Sequence, residues 1–345
     1  MPDHLMFAEE GAWGQWTTPT SAMPVRSANL QGQQPLMNTE ETGGGRGMLP
    51  GAIGEVGAGG PIACNLHPIL LPVLIRSAFG SRTTAGAGTG YRNALLPDDE
   101  VAFESFSFQQ RYKTDLALNI KGAKLSSMTI AAATRQFAQF TSEWVAKDIA
   151  LAGGTWSDDT ASAAVVDPPP YPAAMPAPFK FYEGVMRLGG TVSNVGNELV
   201  VAGGVAMNDF DNIEVAFTFN QSADAYGVNL GDRTVQSIDE GAREIAVRFA
   251  PNFAVASSAY WAAWKAGEPA VVELYFAGVE YDGVGNKNYE MKITLPYVQY
   301  SAAPLPEVSR NYGLRRMSVE GAGKVDPTLL VDAGFVIQGT EDLSA

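Results

Sequence analysis

The chain has 345 residues, of which 46% are hydrophobic and 17% charged, and its formal net charge at pH 7 is -14. This composition is typical of an ordered protein with room for two hydrophobic cores, and its acidic balance argues against general affinity for nucleic acid or anionic membranes. A single cysteine, Cys64, excludes an intramolecular disulfide. The sequence shows no signal-peptide pattern and no apolar run of 18 residues, so we expect a cytoplasmic protein without a membrane span.

The first 60 residues combine extended segments with glycine. An N-terminal arm contains Gly11 and Gly14 and leads to Pro24-Val25-Arg26-Ser27, and residues 38–60 form a long glycine-rich segment. Because a loop of this length is unusual inside a compact domain, we expect the segment to be functional. It lacks the Gly-Lys-Ser or Gly-Lys-Thr ending of a phosphate-binding loop, so it predicts no nucleotide site.

A strand, a proline and a helix follow one another twice in the chain. Residues 62–68 and 245–251 carry apolar side chains at alternate positions and end in proline, which predicts two half-buried strands. Helix-like runs follow at 69–79 and 253–266, and a glycine comes directly after each of them. The pattern therefore indicates one structural unit that is used twice.

The segments after the two helices also correspond. Residues 101–106 align with 270–275, which places Glu104 and Glu273 in register, and alternating strands follow in both copies at 116–120 and 291–295. The repeat distance is that of a domain and not of a solenoid repeat. A segment dense in proline and glycine lies between the copies and predicts a semi-rigid linker.

The predicted organisation has four parts. A first domain with the N-terminal arm spans 1–149, a linker spans 150–177, a second domain spans 178–325, and a C-terminal segment spans 326–345.

The sequence shows no motif for catalysis or metal binding. The two histidines, His4 and His67, have no neighbouring ligands at metal-binding spacing, and Cys64 and His67 leave the predicted strand on opposite faces. We expect no enzymatic activity, no metal and no cofactor. Carboxylates brought together by the fold would still allow a glycosidase, although no motif selects one.

Taken in chain order, these features resemble a known family. The features are the Gly11-Ala12-Trp13-Gly14 arm with Pro24-Val25-Arg26-Ser27, the glycine-rich segment, the strand-proline-helix unit, and the Phe181-Tyr182-Glu183-Gly184 opening of the second half. They resemble the major tail tube proteins of long-tailed, siphovirus-type bacteriophages, in the branch with a duplicated tube domain.

The resemblance implies a mainly β fold of two similar tandem tube domains, each a β-sandwich or barrel with one short helix. It implies a structural virion protein of the phage tail, assembled in the cytoplasm of the host bacterium. Three copies would form a pseudo-hexameric ring, and stacked rings would form the tube through which DNA is ejected. The implied partners are further copies of the chain, the terminator, distal tail and tape measure proteins, and DNA in transient, non-specific passage. No membrane partner is implied.

Two sets of site residues follow from this interpretation. Contacts between rings are expected from the glycine-rich loop and its polar counterpart in the second half, with Gly43, Gly44, Gly45, Arg46, Gly47, Tyr226 and Asn229 as candidates. The lumen candidates are the aligned glutamates and the polar faces of two strands, namely Glu104, Glu273, Asp115, Lys121, Glu290 and Lys292.

Two alternatives remain open. One is a carbohydrate-binding or hydrolytic β-rich protein of the tail tip, which would expose aromatic side chains together with carboxylates. The other is a tail-terminator or head-decoration protein, which would form a cap without polymerising.

Overall fold

The computed structural model describes residues 4–33, 36–37, 52–53, 57–87, 90–158, 160–169, 175–207, 210–221, 235, 237–252, 258–281, 287–304 and 317–343. The strands of the first half are β1 (His4–Glu9), β2 (Ser21–Met23), β3 (Ser27–Ala28), β4 (Gln31–Gln33), β5 (Leu36–Met37), β6 (Ala52–Ile53), β7 (Gly57–Asn65), β8 (Ser81–Ala87), β9 (Gly90–Leu96), β10 (Phe106–Lys113), β11 (Leu116–Ala133), β12 (Gln139–Ala146) and β13 (Asp148–Leu151), with helix α1 (Leu71–Arg76) between β7 and β8.

The second half begins with a short 3-10 turn, Phe181–Glu183. Its strands are β14 (Gly184–Leu188), β15 (Thr191–Val195), β16 (Glu198–Ala202), β17 (Val205–Met207), β18 (Phe210–Thr218), β19 (Glu244–Pro251), β20 (Ala270–Glu280), β21 (Asn288–Ala302), β22 (Val319–Gly323) and β23 (Gly334–Gly339), with helix α2 (Ser258–Ala266) between β19 and β20. The fold is therefore mainly β, as the sequence predicts. Within the described ranges, neither helix is long and apolar enough to cross a membrane.

The antiparallel pairing of the strands follows the same order in both halves. In the first half, β1 pairs with β2 and β10, β10 with β11, and β11 with β12 and β13, while β12 closes onto β7 and the other edge of β7 holds β3 and β4. In the second half, β14 pairs with β17 and β20, β20 with β21, and β21 with β22 and β23, while β22 closes onto β19 and the other edge of β19 holds β18.

Two ladders and a shared core join the halves. Strand β11 pairs with β18, and the hairpin β8–β9 of the first half pairs through β9 with β23. Alternate side chains of the strands point into one cluster of buried residues that runs through both halves. Phe79, directly after α1, packs on Phe217 and Phe335 of the second half.

The helices and their preceding strands lie where the sequence predicts them. Strands β7 and β19 cover most of 62–68 and 245–251, and α1 and α2 lie inside the predicted runs, with 253–257 outside the described residues. The alignment of 101–106 with 270–275 implies a strand in both copies, and this is wrong for the first copy: residues 97–105 form no strand, and β10 begins at Phe106. There the backbone turns near Asp98, whose carbonyl accepts a hydrogen bond from the N–H of Val101.

The end of the glycine-rich segment is also different from the predicted loop. Residues 57–60 belong to β7 and pair with β12 and β4. Gly60 has φ 141°, and a Cβ at this position would lie 2.1 Å from the carbonyl oxygen of Asn29. Glycine is therefore required here by the close approach of neighbouring backbone and not by a mobile loop.

Candidate assembly surface

One continuous antiparallel sheet runs across both halves of the chain. Its strands follow the order β3/β4, β7, β12, β11, β18, β19, β22, β21, and the β11–β18 ladder joins the contribution of the first half to that of the second. We name these eight strand positions the bridging sheet. One face of the bridging sheet points into the core, where Phe140, Ile130 and Phe217 are fully buried.

The other face of the bridging sheet is exposed or half-buried along its whole width. One row across it, read from paired residues, contains only small or neutral side chains: Ser27, Ala63, Thr141, Thr129, Ala216, Ala246, Ala322 and Gln299. Successive side chains of a strand alternate between faces, so these residues lie on the outer face while their neighbours in the sequence point into the core. The result is a row without charged or large apolar side chains.

The charges in the two adjacent rows of this face are mainly acidic. Within the strands the rows contain four glutamates and one arginine, and the exposed Lys324, directly after β22 and opposite Glu244, brings the net charge to -2: Glu143, Glu214, Glu244, Glu320, Arg248 and Lys324. Arg248 lies 3.4 Å from Glu214 and 3.6 Å from Glu320. Partial burial raises the pKa of the Glu143 carboxyl. The face therefore has net negative charge and few cationic groups that could hold a phosphate.

The predicted lumen residues do not lie on this face. Glu104 precedes β10 and accepts hydrogen bonds from the guanidinium groups of Arg76 and Arg82, with nitrogen–oxygen distances of 3.0 and 2.6 Å. Glu273 is buried inside β20, where it faces Arg187 at 3.0 Å. The two glutamates thus occupy different places relative to the strands, so the assumed register between them is wrong.

The other four lumen candidates also lie off this face. Asp115 is exposed in the turn between β10 and β11. Lys121 is buried beneath the segment that follows β13, with Asp158 at 3.2 Å and the Trp156 ring at 4.5 Å.

Glu290 and Lys292 belong to a charged network on β21. Glu290 lies 3.4 Å from Arg92, and the ammonium of Lys292 lies 2.6 Å from Glu198. Two hydrogen bonds from the Arg92 guanidinium lower the pKa of the Glu198 carboxyl to about 2. These side chains tie the hairpin β15–β16 to the sheet beneath it.

The face of the bridging sheet was missed although its signal is present in the sequence. Glu214, Ala216 and Thr218 alternate with Val215 and Phe217, in the same way that the apolar residues of 245–251 alternate with others. The apolar residues of such a pattern predict the core side of a strand, and its polar residues predict the exposed side.

The remaining predicted site residues cannot be placed. The inter-ring candidates at 43–47 and at positions 226 and 229 lie outside the described residues. In the part of the chain that the structure describes, no group of three or more His, Cys, Asp or Glu could hold a metal ion. The alternative of a carbohydrate-binding protein needs exposed aromatic side chains, but Trp156 is buried against Trp16, with ring centroids 5.7 Å apart.

Comparison with known proteins identifies the family. No curated protein matches the chain. A family model described as phage tail tube protein matches residues 4–309, which is most of the 345-residue sequence. The chain therefore belongs to the phage tail tube protein family, with a structural role in the virion tail.

Proposed function

We propose that three copies of this chain form a pseudo-hexameric ring, and that stacked rings form the tail tube through which DNA is ejected. The observation that carries the proposal is the bridging sheet. It crosses from one half of the chain to the other by a backbone ladder. Among the described residues, the outer edge of β3/β4 has no further strand partner, and neither has the outer edge of β21 after Val298, where its pairing with β20 ends. Open edges of this kind are satisfied when the sheet closes into a ring through neighbouring copies.

The proposed duplication is supported by the strand pairing and by two β-bulges in each half. In the β10–β11 and β20–β21 hairpins, the register shifts after Ile120 and after Leu295. In the β11–β12 and β21–β22 ladders, it shifts at Ser126 and at Ser301. Both pairs of positions, 120 with 295 and 126 with 301, are separated by 175 residues, so independent irregularities give the same alignment of the halves.

The exposed face of the bridging sheet suits a conduit for DNA. Duplex DNA carries one negative charge per about 1.7 Å of its axis, so a wall with net negative charge and short side chains lets the duplex slide. We infer that Glu143, Glu214, Glu244 and Glu320 line the lumen, in place of the six residues that the sequence suggested.

Contacts between rings are assigned to the glycine-rich loop around 43–47 and to the polar segment with Tyr226 and Asn229. Their support is the sequence alone, because an interface offsets the entropy of ordering long, glycine-rich segments. Assembly in the host bacterial cytoplasm and contacts with terminator, distal tail and tape measure proteins complete the proposal.

Electron microscopy and sedimentation of the purified full chain test the ring. We expect threefold rings with three times the 36.6 kDa mass of one chain, and tubes that are stacks of such rings. Rings that contain six full chains would contradict the duplication. A chain that remains monomeric, or forms a single cap that never stacks, would contradict the tube.

A matched pair of charge reversals tests the lumen. Glu244→Lys places an amine on the exposed face of the bridging sheet, whereas Glu100→Lys makes the same charge change at an exposed position outside that sheet. We expect slower DNA ejection from virions that contain Glu244→Lys, because added amines bind phosphates along the tube. Ejection should be unchanged with Glu100→Lys, and equal rates for the two variants would show that this face is not the lumen.

A further inference from the structure

The first half of the chain exposes an apolar patch at one end of its core. Leu116 and Leu151 are 43% and 56% exposed, and Leu118 is half-buried between them. Leu118 pairs directly with Leu151 across the β11–β13 ladder, and Leu116 lies two residues before Leu118 in the same strand. The three side chains therefore share one face, which we name the leucine patch.

The matching residues of the second half are completely covered. The 175-residue offset of the two bulges places Leu116 with Met291 and Leu118 with Ile293, and the pairing of Ile293 with Phe335 then places Leu151 with Phe335. Met291, Ile293 and Phe335 are all buried.

The cover of Phe335 comes from the other half of the chain. Phe79, which follows α1, lies against Phe335 with ring centroids 4.8 Å apart and touches Phe217 of β18. At the other end of α1, the N–H of Leu70 donates to Glu341 at 2.7 Å. The helix of the first half thus closes the end of the second-half core.

Helix α2 has no such neighbour among the described residues. Most side chains of α1 are buried, whereas Trp261 is half-buried and Trp264 is exposed on α2. The indole N–H of Trp264 donates to the carbonyl oxygen of Ser301 at 3.1 Å, which fixes this part of α2 beside the bulge of β21. Two large aromatic side chains of α2, one of them hydrogen-bonded to Ser301, therefore remain partly uncovered near an open strand end.

The strand edges show the same contrast. Past its bulge at Ser126, β11 continues and pairs with β18 over 127–133. Past the bulge at Ser301, no pairing on the matching edge is present in the described part of β21. The first-half counterpart of β18 is β3/β4, since both pair with the strand before the helix. On its outer edge the N–H of Leu30 bonds to Oε1 of Gln110 at 3.1 Å, so a side chain caps this edge within one copy.

We propose that these two incomplete surfaces meet between copies: α2 and the end of β21 of one copy cover the leucine patch and pair with the outer edge of β3/β4 of the next copy. The proposal rests on the ring proposed above and specifies its junction. The template is the junction inside the chain, where α1 and the end of β11 meet β23 and β18. The partner is a second copy because the internal junction already shows the same structural elements packed together.

The template also gives a register. Thr129 pairs with Ala216 in the internal junction. The counterpart of Thr129 is Pro304 of one copy, and the counterpart of Ala216 is Gln31 of the next copy. The hydrogen bond from Phe219 N–H to Ser126 O marks a bonded pair, and Thr129 lies three residues further on, so its pair is of the non-bonded kind. Cα atoms in such pairs are about 4.5 Å apart, within reach of a disulfide.

Two aspartate substitutions test the patch. Leu151→Asp charges the leucine patch at an exposed position, so the fold should persist while rings fail to form. Val195→Asp makes a comparable change at a residue that is 62% exposed at the tip of the β15–β16 hairpin, and it should leave rings intact. Rings of Leu151→Asp at wild-type yield, measured by sedimentation, would overturn the proposal.

A cysteine pair tests the register. Gln31→Cys combined with Pro304→Cys should give disulfide-linked dimers and closed trimers under oxidising conditions, and either substitution alone should give none. Burial raises the pKa of the native Cys64 thiol to about 12, so this cysteine stays unreactive. Rings that form from the double variant without any cross-link would overturn the register, while the tube proposal would stand. A wild-type chain that forms no rings would instead overturn both.

Discussion

The rings of Phe79 and Phe335 lie 4.8 Å apart and belong to different halves of the chain. Phe79 is buried and also touches Phe217, so its side chain is a main apolar link between the two cores. Phe79→Ala should lower the free energy of unfolding by about 3–5 kcal/mol, since it leaves a cavity that a rigid junction fills only in part. Urea unfolding followed by fluorescence and by circular dichroism measures this effect.

Phe137→Ala is the matched control for this loss. Phe137 is the same residue type but is 44% exposed and leaves no enclosed cavity, so its removal should cost far less, about 1 kcal/mol or below. Equal effects of the two substitutions would show that the Phe79 contact does not stabilise the junction.

Glu10 organises the N-terminal arm from a buried position. Its carboxylate accepts four hydrogen bonds of 2.7–2.8 Å, from the backbone N–H groups of Gly14 and Gly122 and the hydroxyls of Ser105 and Ser107. Glu10→Ala leaves these donors unsatisfied, and we expect a loss of about 3 kcal/mol or more in the free energy of unfolding.

The exposed Glu244 provides the control for the arm. Glu244→Ala should be nearly neutral in the same thermal or urea measurement, because no buried donor depends on it. If Glu10→Ala changed the free energy of unfolding as little as Glu244→Ala, water would satisfy the four donors as well as the carboxylate does. That result would contradict a structural role for this network.

The sequence predicts the repeated strand-proline-helix unit because amphipathic alternation and proline are local signals. The residue-by-residue alignment of the two halves is not a local signal. It depends on the strand register, which the bulges at Ser126 and Ser301 set without any pattern in the composition. For this reason Glu104 and Glu273 were paired although they do not occupy equivalent places. The same holds for the strands before the helices. When β7 and β19 are aligned through their partners β12 and β22, Ile62 corresponds to Phe249 and not to Ile245.

The predicted linker shows a second limit of sequence analysis. Asn119 and Lys121 look like a solvent-facing strand side, yet the segment after β13 covers them. The amide of Asn119 donates to Ser162 Oγ at 2.8 Å and to the carbonyl oxygen of Ala163 at 2.7 Å. Which distant segment packs on a strand face depends on the path of the whole chain, so composition cannot show it.

Glu341 predicts a pH dependence of stability. Burial raises the pKa of this carboxyl from 4.5 to about 7, against the opposing effects of the Leu70 N–H and the Arg76 charge. The folded chain therefore holds a proton that the unfolded chain has released. The stabilising effect of the neutral carboxyl is fully present below about pH 4.5 and is lost as the pH rises to about 7.

Glu341→Gln isolates this contribution. The difference in unfolding free energy between wild type and variant should change by about 3 kcal/mol between pH 4.5 and 7.5, with wild type relatively weaker at the higher pH. Chemical unfolding at several pH values measures the difference, in which the titration of other groups cancels. Parallel stability curves would show that Glu341 is ionised at the same pH in both states.

The glycine-rich segment predicts separate requirements for ring formation and for stacking. Residues 57–60 belong to β7 and support the bridging sheet, so a test of the loop must stop at position 56. Deletion of 43–56 should leave soluble rings of normal mass, because the ladders of the bridging sheet are untouched. Long tubes should be lost, since the proposed contact with the next ring is removed.

A variant with 43–56 replaced by an equally long glycine-serine segment separates sequence from length. If specific contacts of Arg46 and its neighbours join the rings, this replacement should fail to form tubes in the same way as the deletion. Tubes from the replacement but not from the deletion would mean that the loop only spans a distance. Normal tubes from the deletion itself would contradict an inter-ring role, because stacking would then be complete without any of these residues.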